Sequence, residues 1–220
     1  NAGIGSQIQS DGKIRMSASL MNGETQKFSG VINIENVKNP IEVAQVLMKE
    51  DDRVLGGNGA KKYATEYGFQ DFSTEIPQRR KEYEEKLKNG GKGTVGCVAI
   101  DAHGKLAAAT STGGKGFELV GRISDSATVA GNYANQHCAV SCTGVGEDIV
   151  SNATAAKIVT RVSDGMTIEH AFDRTFLELK EIDGFAGAIG IDKYGNIFHK
   201  DSYPKMVFAS FDGEDFEIFE

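Results

Sequence analysis

The sequence predicts one domain of the α+β class, in which two sheets pack face to face and helices lie outside them. Three observations support this prediction. Strand-like segments occur in runs, helical segments follow one another in pairs, and the two types do not alternate regularly along the chain. A chain of 220 residues, 40% of them hydrophobic, is long enough for one domain with a sizeable core.

The first third of the chain is predicted to form short strands joined by tight turns. Strands are expected over residues 4–9, 13–21 and 30–34, with Asp11-Gly12 as the turn between the first two. Asp-Gly between extended segments is a hairpin signal, because glycine adopts positive φ without a Cβ clash.

Helical spacing of apolar residues begins after Asn39-Pro40, where proline suits the first turn of a helix. This pattern predicts a helix that ends at about residue 50. A second helix is expected over residues 60–67, and Gly68 is well placed to end it.

Residues 75–92 are dense in charge and close with Asn89-Gly90-Gly91. Such a composition buries little apolar surface, so we predict an exposed, mobile linker. The strongest strand of the sequence follows at residues 94–101. His103-Gly104 is then expected to turn the chain into a returning strand at residues 105–110.

The second half begins with a predicted strand at residues 139–143, followed by a helix over residues 147–162. The buried side of this helix is predicted to consist of Ile149, Val150, Ala153, Ile158 and Val162. Gly165 is expected to end it.

Thr167 is expected to cap a further helix, whose apolar positions run from 168 to 179. A final hairpin is predicted between residues 185–192 and 196–200, with Tyr194-Gly195 as its turn.

The charge balance disfavours a nucleic-acid partner. The net charge is -7 and the pI is about 5.2, whereas phosphate binding relies on clustered Lys and Arg. One basic cluster, Arg79-Arg80-Lys81, is followed by Glu82, Glu84 and Glu85, so local neutralisation is expected. No apolar stretch approaches the roughly 20 residues of a membrane span, and no membrane partner is predicted.

The three cysteines are too few and too irregularly spaced for a disulfide framework or a zinc site. We therefore predict no metal site and a reducing, cytoplasmic compartment. Cys97 and Cys142 lie in apolar, strand-like segments and are expected to act as small buried hydrophobes.

Thr94 begins the strongest predicted strand and directly follows Gly93. A Thr hydroxyl needs an adjacent base, and its own α-amine, with a pKa of about 8, can serve once the preceding bond is cut. Gly93 favours such a cut, because a residue without a side chain tolerates a strained backbone and exposes its carbonyl. Taken alone, a Gly-Thr step would be interpreted as the start of an ordinary strand.

Four segments are more specific. They are residues 93–101 (GTVGCVAID), 109–114 (ATSTGG), 121–126 (GRISDS) and 141–147 (SCTGVGE). In this order they closely resemble the signatures of the plant-type asparaginase and isoaspartyl peptidase family, which are threonine-type N-terminal-nucleophile hydrolases. The resemblance extends to residues 1–6 and to Asn39-Pro40, and so covers essentially the whole chain.

For the fold, the resemblance implies a four-layer αββα sandwich. It also implies self-cleavage into residues 1–93 and 94–220, which stay associated in a dimer of such heterodimers. No cofactor is implied, and a structural Na⁺ or K⁺ ion is left open. Members of the family normally begin several dozen residues before the block at Asn1, so a further N-terminal segment is expected.

For the site, the resemblance assigns Thr94 as the nucleophile and Thr112 as the hydroxyl that tunes it. Thr143 and Gly144 match the oxyanion-hole donors, whose individual loss typically costs about 10²- to 10³-fold in rate. Taken singly, Thr112 would be interpreted as half of a cross-strand polar pair.

Arg122 and Asp125 match the residues that hold the α-carboxylate and α-amine of the substrate. Their chemistry fits, since Arg binds carboxylate in a two-pronged fork and Asp accepts from ammonium. Gly146 and Asn1 are assigned to substrate binding on the same basis. Outside this set, the Arg-Asp pair would be taken as solvated. Gly146 is equally typical of a glycine that ends a strand before a helix.

The predicted function is hydrolysis of the β-amide of L-asparagine and of β-aspartyl dipeptides through a Thr94 acyl-enzyme. One alternative is a glycosylasparaginase, although that branch tends to carry Asn where this chain has Gly113. A second alternative is a non-catalytic scaffold that never cleaves itself. The sequence does not rank asparagine against the dipeptides.

Overall fold

A computed structural model describes residues 2–85, 93–202 and 206–219. The strands are β1 (Met16–Asn22), β2 (Lys27–Ile34), β3 (Val54–Gly56), β4 (Thr94–Ile100), β5 (Leu106–Thr112), β6 (Asn132–Ala134), β7 (Cys138–Gly144), β8 (Ala186–Asp192), β9 (Ile197–Asp201), β10 (Phe208–Phe211) and β11 (Phe216–Phe219). The helices are α1 (Pro40–Leu47), α2 (Gly57–Glu66), α3 (Pro77–Glu84), α4 (Gly146–Asn152), α5 (Thr154–Ser163) and α6 (Ile168–Glu181). Sheets and helices thus occur in separate runs, which confirms the α+β class.

The first sheet has the strand order β3-β2-β1-β5-β4. Its neighbours are antiparallel except for the parallel pair β2 and β3. Among the described residues, the strand that begins at Thr94 therefore lies at the edge of this sheet. The second sheet has the order β6-β7-β8-β9 and is antiparallel throughout.

Buried apolar side chains form three clusters that tie these elements together. One joins β1 and β2 to α1 and α2, and another joins β7 and β8 to α4, α5 and α6. The third contains Met21, Leu106 and Ala108 of the first sheet with Ala139 and Ile191 of the second, so the two sheets contact each other through apolar side chains.

The two sheets approach each other closely where β4 faces β7. A Cβ atom added at Gly96 would lie only 2.2 Å from Ser141 Oγ, and a glycine in a strand often marks such a close approach. Ser141 Oγ in turn lies 2.7 Å from Thr110 Oγ1 on β5. The absence of a side chain at position 96 therefore lets the start of β4 lie against the middle of β7.

Several predicted elements are confirmed. Strand β4 begins at Thr94, and α1 begins at Pro40 but ends at Leu47, three residues early. Gly68 follows α2 with φ 83°, and the Thr167 side chain accepts a hydrogen bond from the backbone N–H of His170 at the start of α6. Backbone positions that require glycine or a cap were thus readable from the sequence.

The predicted strand over residues 4–9 is wrong. Only an isolated bridge between Ile8 and Ile14 forms there. Gly3 and Gly5 adopt φ values of 82° and 84°, which turn the chain where a strand would have to run straight.

The predicted helix over residues 147–162 is divided into α4 and α5. Ala153 adopts φ 51° between them, in the left-handed region. The Asn152 side chain donates to Thr154 Oγ1 at 3.2 Å and to the Thr175 carbonyl at 3.3 Å, which stabilises the break. Val150, predicted to be buried, is 46% exposed as a result.

The prediction of an exposed, mobile linker over residues 75–92 is wrong for its first part, since α3 forms at Pro77–Glu84. Tyr83 stacks on Phe117 with ring centroids 5.3 Å apart, so this helix packs on the body of the domain. Residues 86–92 lie outside the described residues.

The basic cluster is neutralised locally, as expected. Arg79 pairs with Glu82 at 2.7 Å, Arg80 pairs with Glu75 at 2.5 Å, and Lys81 lies 3.8 Å from Glu85.

The cysteines divide by location. Cys142 is buried as predicted, and burial raises its pKa well above the ordinary thiol value. Cys97 is exposed, contrary to the prediction, because the edge strand β4 leaves that position uncovered. Among the residues that the structure describes, no helix is both long enough and apolar enough to cross a membrane.

Candidate active site

Thr94 and Thr112 face each other on two neighbouring strands of the first sheet. They are directly paired positions at the start of β4 and the end of β5. Their hydroxyl oxygens lie 3.5 Å apart, a long contact for two hydroxyls, and Thr112 Oγ1 accepts a hydrogen bond from the Gly114 N–H at 3.3 Å. The Thr112 side chain is buried, so its hydroxyl is held next to that of Thr94.

Thr143 and Gly144 come from the second sheet and border the same cavity as Thr94, whose volume is about 620 Å³. They end β7 opposite Gly187 and Ala186. Gly144 has φ 129°, and a Cβ there would lie 2.9 Å from both the Ala186 Cα and the Phe185 carbonyl oxygen. Only glycine fits this turn.

Arg122 is held by a two-pronged ion pair with Glu147 in the first turn of α4. Arg122 Nε lies 2.7 Å from Glu147 Oε1, and Nη2 lies 3.0 Å from Oε2. Lys115 Nζ also contacts Glu147 Oε1 at 2.9 Å. Hydrogen bonding from Arg122, supported by Lys115, lowers the pKa of Glu147 to about 2, so this carboxylate stays charged at neutral pH.

Asp125 lies in a one-turn 3₁₀ helix, Asp125–Ala127, and is only 5% exposed. Burial raises its pKa to about 7, although the nearby charge of Arg122 acts in the opposite direction. Among the described residues, its Oδ2 atom has no hydrogen-bond partner. This buried carboxyl group is therefore neutral or charged depending on pH near neutrality.

Gly146 lies between these two side chains. A Cβ added there would lie 2.8 Å from Asp125 Oδ1 and 2.9 Å from Arg122 Nη2. The structure thus brings Arg122, Asp125 and Gly146 together, as the sequence predicted. Gly146 follows Gly144 by two residues, so the turn from β7 into α4 joins this group to the cavity that Thr94 borders.

Two predicted site positions remain, Gly93 and Asn1. Gly93 directly precedes β4 and is half-buried. Asn1 lies outside the described residues. No group of three or more His, Cys, Asp or Glu side chains that could hold a metal ion occurs within the described ranges.

Two residues that bind Arg122 directly carried no predicted role. Glu147 is the last residue of the signature segment 141–147. The signal that could have marked it is its place as an acidic residue in the first turn of a helix. Asn33 donates from Nδ2 to the backbone carbonyl of Arg122 at 3.0 Å, across 89 positions of sequence, and no local pattern marks it.

Comparison with known proteins agrees with this arrangement. A family model described as Asparaginase matches residues 1–89 and 71–219. An isoaspartyl peptidase/L-asparaginase of Nostoc sp. is 44% identical over 234 residues, covering 97% of this chain and 74% of the relative. One of Synechocystis sp. is 45% identical over 227 residues, covering 95% and 69%.

A more distant relative is an isoaspartyl peptidase of Escherichia coli. It is 37% identical over 221 residues, which cover 90% of this chain and 68% of the relative. Together with the geometry of Thr94, Thr112, Arg122 and Asp125, these matches establish that the chain belongs to the asparaginase family described by that model.

Proposed function

We propose that the chain is an amidohydrolase that cuts itself between Gly93 and Thr94. It then hydrolyses the β-amide of L-asparagine and of β-aspartyl dipeptides. The single observation that carries this proposal is the position of Thr94, which lines the cavity of about 620 Å³ with its hydroxyl 3.5 Å from the Thr112 hydroxyl. The names of the relatives, isoaspartyl peptidase and L-asparaginase, support the substrate class.

Self-cleavage supplies the base that the nucleophile needs. The Thr94 hydroxyl adds to the Gly93 carbonyl, the C–N bond of the peptide breaks, and an ester with a free Thr94 amine results. Water then hydrolyses the ester, so that residues 1–93 and 94–220 are separate chains within one domain. The new amine, with an unperturbed pKa of about 8, can take the proton of the Thr94 hydroxyl in later turnovers.

Hydrolysis of the substrate follows the same chemistry. Thr94 Oγ1 adds to the β-carbonyl carbon, and the charge that grows on the carbonyl oxygen is stabilised by the Thr143 hydroxyl and the Gly144 N–H. Collapse of the tetrahedral intermediate expels ammonia from asparagine, or an amino acid from a β-aspartyl dipeptide. The leaving nitrogen takes up the proton that the Thr94 amine had accepted from the hydroxyl. Water attacks the remaining acyl ester and releases aspartate. No step requires a cofactor, and turnover with and without Na⁺ or K⁺ tests for an effect of alkali cations.

Arg122 and Asp125 recognise the charged head of the substrate. The fork from Arg122 to Glu147 uses Nε and Nη2, which leaves the Nη1 edge of the guanidinium for a carboxylate. Asp125 accepts from the α-ammonium group. Gly146 lies between them, and its lack of a side chain leaves room for the substrate.

The finer architecture is part of the same proposal. We propose a four-layer αββα sandwich, supported by helices on β1 and β2, helices on β7 and β8, and an apolar cluster shared by the two sheets. The cleaved parts remain one domain and assemble as a dimer of heterodimers in the cytoplasm. Three unpaired thiols support a reducing compartment.

The proposal is tested with the protein expressed from its complete coding sequence. On a denaturing gel we expect two bands, and mass spectrometry should find Thr94 at a new N-terminus. Thr94→Ala should leave one band and abolish release of ammonia from asparagine. The control Thr160→Ala alters an exposed helical threonine and should behave as wild type.

Three outcomes would contradict the proposal. Processing of Thr94→Ala at the wild-type rate would exclude Thr94 as the nucleophile. A correctly folded wild type that stays uncut and inactive would favour a non-catalytic scaffold. Faster turnover of a sugar-linked asparagine than of β-aspartyl dipeptides would favour a glycosylasparaginase.

A further inference from the structure

We infer that Asn33 is a positioning residue for Arg122 and thereby sets the affinity for the α-carboxylate of the substrate. This inference rests on the proposed function, in which Arg122 binds that carboxylate. Asn33 lies on β2, more than 80 residues away in sequence, and reaches Arg122 through its side-chain amide.

The backbone of Asn33 adopts an unusual conformation for a strand residue, with φ 53°. The pairing of β1 with β2 is irregular here, since the register shifts between Met16 and Ala18. The Asn33 N–H is turned toward the Ser17 side chain and donates to Ser17 Oγ at 3.1 Å. Irregularities of this kind re-aim a side chain and are frequent next to functional sites.

The re-aimed side chain contacts the substrate-binding loop. Asn33 Nδ2 donates to the Arg122 backbone carbonyl at 3.0 Å, in a partly buried setting. The side chain of the same arginine is fixed by Glu147. Arg122 is therefore held at both ends, through its backbone by the first sheet and through its guanidinium by α4.

The residue type supports a role for the amide group. A left-handed conformation is open to glycine without a steric penalty, whereas Asn adopts it less readily. Glycine would thus serve the backbone of this strand at least as well. What Asn33 adds is the donor that bonds to Arg122.

The decisive variant is Asn33→Gly, which keeps the backbone conformation accessible and removes only the amide. A matched control is available in Asn36→Gly, because Asn36 also has φ 53° but is exposed and lies outside the site. Loss of one hydrogen bond of this kind predicts a KM for L-asparagine about three- to tenfold higher in Asn33→Gly. We expect kcat to stay within about twofold of wild type, the dissociation constant for L-aspartate to rise with KM, and the control to be unchanged.

A readout independent of turnover is hydrogen exchange in the peptide that covers residues 119–124. It should become faster in Asn33→Gly and not in Asn36→Gly. In an Arg122→Ala background, Asn33→Gly should cause no further loss of kcat/KM, since both changes remove the same contact with the substrate.

Outcomes that overturn the inference are separate from those that overturn the proposed function. Unchanged KM and unchanged exchange in Asn33→Gly would refute the positioning role even if wild type hydrolyses both substrates. Equal effects in Asn33→Gly and Asn36→Gly would show a general loss of stability in this segment. A wild type without turnover would refute the proposed function, and the exchange measurement would still decide whether Asn33 holds the loop.

Discussion

Replacing Gly146 by alanine tests whether Arg122 and Asp125 form one recognition site. The added methyl group would lie 2.8 Å from Asp125 Oδ1 and 2.9 Å from Arg122 Nη2, whereas ordinary contact begins at 3.4 Å. The φ of Gly146 is not in the region that disfavours L residues, so the backbone can accept alanine. The change therefore acts through contact with these two side chains.

The size of the effect follows from how far those atoms must move. Asp125 Oδ1 has to retreat by about 0.6 Å and Arg122 Nη2 by about 0.5 Å to restore ordinary contact. Neither moves freely, because Asp125 is 5% exposed and Arg122 is bound to Glu147 at two points. Since a misplacement of about 1 Å can cost about 10²-fold in rate, we expect kcat/KM to fall about 10- to 100-fold.

The assay measures ammonia release from L-asparagine and aspartate release from a β-aspartyl dipeptide, alongside processing on a denaturing gel. Thr94 and Thr112 are untouched, so Gly146→Ala should still be cleaved. Gly59→Ala is the matched control, because a Cβ at this position of α2 meets nothing within 4 Å. If Gly146→Ala has a KM within about twofold of wild type for both substrates, the assignment of this group to the substrate head is refuted.

Three further predictions address the charged and thiol groups. Arg122→Ala should raise KM about 10- to 100-fold by removing a charge-assisted contact, while self-cleavage on a gel continues. Because the pKa of Asp125 is raised to about 7, the carboxylate that accepts the α-ammonium is lost below that pH, so KM should fall as pH rises through 7, and Asp125→Asn should flatten this profile. A maleimide should label Cys97 alone in the native protein and all three thiols after denaturation, because Cys138 and Cys142 are buried and burial raises the pKa of Cys138 to about 12.

Local signals in the sequence predicted much of the fold. Proline at the start of α1, Gly68 after α2 and Thr167 before α6 act through their own backbone or side chain, so their effect is visible without the rest of the molecule. The division of the helix at Ala153 was not predictable in this way. It depends on the hydrogen bond from the Asn152 side chain to the Thr175 carbonyl of α6, which comes later in the chain.

The high charge density of residues 75–85 led to the wrong prediction of a mobile linker, where the structure has α3. The composition is typical of a solvated linker, but the Arg79 and Arg80 charges are paired with nearby glutamates, and Tyr83 stacks on Phe117. The contact with Phe117 joins segments that are distant in sequence, and periodicity does not report such contacts.

The sequence by itself indicated the candidate residues Thr94, Thr112, Arg122 and Thr143, because ordered segments around them carry the family resemblance. Tertiary structure alone decided how those residues are held. The bond from Asn33 to Arg122 and the fork from Arg122 to Glu147 depend on where β2 and α4 pack. Such distances are set by the packing of whole elements, and residue type and spacing along a chain do not specify them.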